Sequence, residues 1–81
     1  MFVPEMSPII MRAMSMNLKN IQTYKGYDGA NILKLSFVDE SEMIAIRNYA
    51  REHGHETNND YKNKLDLFCI FEAPDGAYSL Q

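Results

Sequence analysis

Tryptophan is absent from this 81-residue chain, and cysteine occurs once, at Cys69. A single cysteine excludes an internal disulfide framework and any zinc site built from several cysteines. No apolar run approaches the ~20 residues that a membrane-spanning helix needs. The N-terminal stretch has no basic segment ahead of its apolar residues, so it does not read as a secretion signal. Positive charge is in deficit: eight Lys and Arg face eleven Asp and Glu, for a formal net charge of −3. Those eight are scattered from Arg12 to Lys64, without the basic patch that grips phosphates. The acidic excess is also too small to imitate nucleic acid. There is no glycine-rich phosphate loop, no serine elbow and no acid/base dyad. These absences leave a cytoplasmic protein that meets other proteins or small molecules. They imply no enzyme activity and no cofactor.

The composition is otherwise globular, 46% hydrophobic and 23% charged. A chain this short forms one domain with a thin core, so a partner contact adds much to its stability. Methionine is unevenly placed. Met1, Met6, Met11, Met14 and Met16 crowd the first 16 residues. Ser7-Pro8 resembles an N-cap followed by proline at the first helical position, ahead of a short helix that is apolar nearly all round. Residues 1–15 are therefore set apart as a Met-rich arm, and 16–81 as a single α+β domain. On an alternative reading translation starts at Met11, Met14 or Met16, and the arm is a leader.

Residues 18–25 alternate like a strand. Lys25-Gly26-Tyr27-Asp28-Gly29 then signals a hairpin turn. Over residues 30–38, Leu33, Leu35 and Phe37 point one way while Lys34 and Ser36 point the other, the period of a half-buried strand. The period then changes. Asp39-Glu40-Ser41-Glu42 is a capping signal, and Met43, Ile46 and Ala50 form one stripe of a helix over 40–53 that Gly54 stops. Residues 55–64 are polar and asparagine-rich, which predicts a ten-residue loop. Residues 65–72 form a strand with Leu65, Leu67, Cys69 and Phe71 on one face. Ala73-Pro74-Asp75-Gly76 turns the chain into a last short strand at 77–80. The order β-β-α-β-β implies a four-stranded antiparallel sheet with one helix packed on one face.

That arrangement leaves Ile32, Val38, Phe68 and Ile70 on the other face, too many apolar groups for a fully solvated surface. Either the Met-rich arm or another chain covers them. Tyr24, Tyr27, Tyr61 and Tyr78 add amphipathic rings of the kind favoured at protein interfaces. Stacking on bases is the competing use of these rings, but stacking platforms come with a basic groove. Ile32, Val38, Tyr24, Tyr27, Tyr61, Phe68, Ile70 and Tyr78 are accordingly the candidate partner-binding residues.

Two further features compete for a chemical role. Glu52-His53-Gly54-His55-Glu56 holds a His-x-His pair able to ligate a transition metal, but the pair straddles a helix stop and so shares no face. His53 is otherwise explained by the helix C-terminus. Cys69 lies mid-strand between Phe68 and Ile70, with no cationic neighbour to make it a nucleophile. The expectation is a non-enzymatic binding module, a homodimer that also meets another protein. Small acidic chains without catalytic motifs often serve as phage or mobile-element inhibitors of host defence or nucleic-acid-processing proteins, acting sterically. A metal- or ligand-binding regulator using residues 53–64, and a nucleic-acid-binding accessory protein, are the alternatives.

Overall fold

A computed structural model describes residues 6–26 and 28–71. The elements are α1 (Met6–Ala13), β1 (Leu18–Lys25), β2 (Asn31–Phe37), α2 (Glu40–Glu52), β3 (Glu56–Asn59) and β4 (Asp66–Phe71). The strands form one antiparallel sheet in the order β1-β2-β4-β3, and both helices lie on one side of it. The fold is α+β, as the change of hydrophobic period implies.

Each element follows from local chemistry. The β1–β2 connection is closed by Gly26 N–H donating to Ala30 O at 2.7 Å, and Asp28 Oδ1 accepts from Ala30 N–H at 3.1 Å. Gly29 has φ +91°, a conformation open to glycine at little cost. Asp39 caps α2: its Oδ1 accepts from the Ser41 backbone N–H at 2.9 Å and the Ser41 hydroxyl at 2.8 Å. Those bonds hold its carboxyl below the ordinary value of 3.8. The helix ends at His53, and Gly54 at φ +84° turns the chain away.

The sheet's inner face carries Leu33, Leu35, Phe37, Leu67, Cys69 and Phe71, which pack with Met43, Ile46 and Ala50 of α2. Leu65, expected in this set, is only half-buried just before β4. Met6, Ile9 and Ala13 of α1 complete the same core. Their i, i+3, i+7 spacing puts them on one stripe, while Met11 and Met14 stay exposed. Helix α1 already includes Met6 and Ser7, ahead of the expected Ser7-Pro8 boundary. The Arg12 guanidinium lies 4.3 Å from the Tyr49 ring centroid and ties α1 to α2.

Two expectations need correction. The described part of the arm, from Met6 on, packs on the helix side and not on the sheet's outer face, which it was one candidate to cover. Nor are residues 55–64 all loop: Glu56–Asn59 form β3 beside β4. A run of Glu-Thr-Asn-Asn carries no apolar alternation, and its one buried side chain, Thr57, is held by a hydrogen bond. The expected strand at 77–80 lies outside the described residues.

Candidate protein-interaction face

Period-two alternation sends the even-numbered residues of β2 and β4 to the face away from both helices. Strand register then arranges them in rows. Tyr24 stands opposite Ile32, Ile32 opposite Ile70, and Ile70 opposite Glu56. The next row runs Gln22, Lys34, Phe68, Asn58, and the third pairs Asn20, Ser36 and Asp66. Ile32, Ile70 and Phe68 thus adjoin on the two central strands toward the β1–β2 hairpin end of the sheet, each half-buried, with Tyr24 on the edge strand, 45% exposed. Lys34 stands beside this cluster, its Nζ 5.6 Å from the Phe68 ring centroid and 3.7 Å from Asp66 Oδ2. Gln22, Asn58 and Glu56 flank these groups on the edge strands, while Lys34 and its partner Asp66 lie on the two central strands.

Four of the eight candidate residues meet in this way: Tyr24, Ile32, Phe68 and Ile70. Val38 is exposed just past the far end of β2, separated from Ile32 by Lys34 and Ser36. Tyr61 is 89% exposed in the β3–β4 connection, with Lys62 Nζ 5.9 Å from its ring centroid. Because Asn59 pairs with Leu67 and Glu56 with Ile70, that connection lies at the sheet end remote from Ile70. Tyr61 and Val38 therefore stand apart from the apolar cluster. Tyr27 and Tyr78 lie outside the described residues.

The two histidines separate. His53 Nδ1 is 2.9 Å from Tyr49 O, and its ring rests 4.4 Å from the Tyr49 centroid. His55 instead packs against Phe71, also at 4.4 Å between centroids. Among the described residues no three of His, Cys, Asp and Glu gather closely enough to hold a metal ion. The Cys69 thiol is buried on the inner face, and desolvation pushes its pKa up to about 12. A thiol so protonated is a poor nucleophile at neutral pH and a good small packing group. A shallow groove of about 240 Å³ between α1 and α2 is lined by Arg12, Met16, Ala45, Asn48, Tyr49 and Glu52. No helix of the described chain is long and apolar enough to cross a membrane.

Sequence reasoning missed the polar clasp between α2 and β3. Arg51 Nε donates to Thr57 Oγ1 at 2.7 Å, and Arg47 Nη1 donates to Asn59 Oδ1 at 3.3 Å. The spacing of Arg47 and Arg51, one helical turn apart, was the available signal, but it acquires meaning only once 56–59 is a strand. Comparison with family models, curated proteins and solved structures gives no match.

Proposed function

We propose that the chain is a non-enzymatic protein-binding module whose first partner is a second copy of itself. The observation that carries this reading is the contiguous cluster of Tyr24, Ile32, Phe68 and Ile70 on a face to which the described helices contribute nothing. Tyr24 is 45% exposed, and Ile32, Phe68 and Ile70 are half-buried beside it. These aromatic and aliphatic anchors would supply most of the binding energy, with the polar groups beside them setting register. The biological setting we favour is a phage or mobile-element inhibitor that blocks a host defence or nucleic-acid-processing protein by occupying its surface. The acidic net charge and scattered cations support a protein partner over nucleic acid.

A lysine in place of Phe68 tests the reading, because it sets an unpaired charge in the middle of the cluster. The variant should lose self-association while keeping its melting temperature within a few degrees, since Phe68 is outside the core. Unchanged association with unchanged stability would remove the face from consideration.

A further inference from the structure

Strand β3 closes one edge of the sheet, and its hydrogen-bonding pattern can be read from its continuation. Asp60 N–H donates to Asp66 O at 3.0 Å. Asp60 and Asp66 continue the β3–β4 register, so Asn58 with Phe68 and Glu56 with Ile70 are the hydrogen-bonded pairs. The backbone N–H and C=O of Thr57 and Asn59 consequently point to the open side, where the described residues place no further strand. The same two residues hold the arginines, Arg51 on Thr57 and Arg47 on Asn59. Among the described residues neither arginine has a carboxylate within ion-pair distance, and Arg47 Nε is buried with no partner. Arg51 is an exposed residue whose Nε is engaged on Thr57, and among the described residues its two terminal nitrogens have no hydrogen-bond partner.

The two repeats match. Residues four apart on a helix rise about 6 Å, and residues two apart on a strand span about 6.7 Å. A strand added to β3 would therefore present alternate side chains to Arg47 and Arg51 in turn. We infer that the open edge of β3 is a docking site for an extended peptide segment of a partner protein carrying carboxylates at alternate positions, acid-x-acid. Backbone bonds to Thr57 and Asn59 hold the segment, and the arginine pair selects its charge. The inference rests on the protein-binding reading but uses a different surface from the apolar face.

The test uses the full chain and the capped peptide Thr-Glu-Val-Glu-Thr, with its glutamine counterpart Thr-Gln-Val-Gln-Thr as control. Backbone amide shifts are followed by NMR during titration. The expected result is saturable shifts centred on Thr57 and Asn59, weakened by added salt. The glutamine peptide and the Arg51→Gln variant should each bind about tenfold more weakly or worse. The Glu52→Gln variant, altered on the same helix away from the clasp, should bind as the parent does. Arg51 is exposed, so Arg51→Gln should keep a dispersed native spectrum; Arg47→Gln is used only if its spectrum is equally dispersed. Equal binding of both peptides, shifts centred elsewhere, or no saturable shift up to about 1 mM peptide would each overturn the inference. Phe68→Lys should still bind the acidic peptide, so failure of the apolar face and failure of the β3 edge give different results.

Discussion

Replacing Ile9 with alanine asks whether α1 is part of the fold or an appendage. Ile9 is 1% exposed and lies in the same cluster as Leu33, Phe37 and Ile46. Buried isoleucine to alanine costs about 2–5 kcal/mol, from lost transfer energy plus the cavity left behind. Helix α1 has only eight residues and can settle toward the gap, which points to the lower half, about 2–3 kcal/mol. A domain of 81 residues has a total stability of about 4–12 kcal/mol, so the loss is a large fraction of the whole. With a urea slope of about 1 kcal/mol per molar, the midpoint should fall by about 2–3 M. Met11→Ala is the matched control, because Met11 is 72% exposed on the same helix and its loss should cost less than about 0.5 kcal/mol. Urea titration by circular dichroism reads both. If the two variants unfold at the same midpoint, α1 contributes nothing to the core and Ile9 is not packed within it.

Other consequences are as direct. Native protein should resist iodoacetamide at pH 7 and label at Cys69 only on denaturation, because the thiol is buried and its pKa raised. The same shift has a sign in stability. The contribution of the neutral thiol is complete below 9.0 and declines as pH rises from there toward about 12, where the unfolded chain ionises first, so Cys69→Ala should flatten the alkaline limb of a stability profile. Asp39→Ala should lower the melting temperature at pH 7, and the difference from the parent should shrink below pH 3.8, since a carboxyl of lowered pKa stabilises the fold above that value and stops doing so as it protonates. Arg12→Ala should loosen α1 against α2 and raise amide exchange in α1 more than in α2, because the contact with Tyr49 spans the two helices.

Much of the architecture was legible because its causes are local. Leu33, Leu35 and Phe37 alternate, Met43, Ile46 and Ala50 recur at helical spacing, and Asp39 and Gly54 mark the ends of α2. The Tyr24, Ile32, Phe68 and Ile70 cluster followed from the same alternation once the strands were paired. What was hidden depends on distant partners. Thr57 is buried because Arg51 reaches it from α2, and no hydrophobic pattern announces that. The near-uniform apolar surface of α1 does not encode which side of the sheet it takes, and the shared core with α2 does. Tyr61 and Val38 carry the right chemistry for an interface but stand at the other end of the sheet, a matter of register that composition does not encode.

Light scattering on the parent chain and on Phe68→Lys, both at about 50 μM, tests the central claim most directly. The account predicts twice the 9.4 kDa chain mass for the parent and the single-chain mass for the folded variant. A parent that scatters as a single 9.4 kDa chain, indistinguishable from Phe68→Lys, would contradict it.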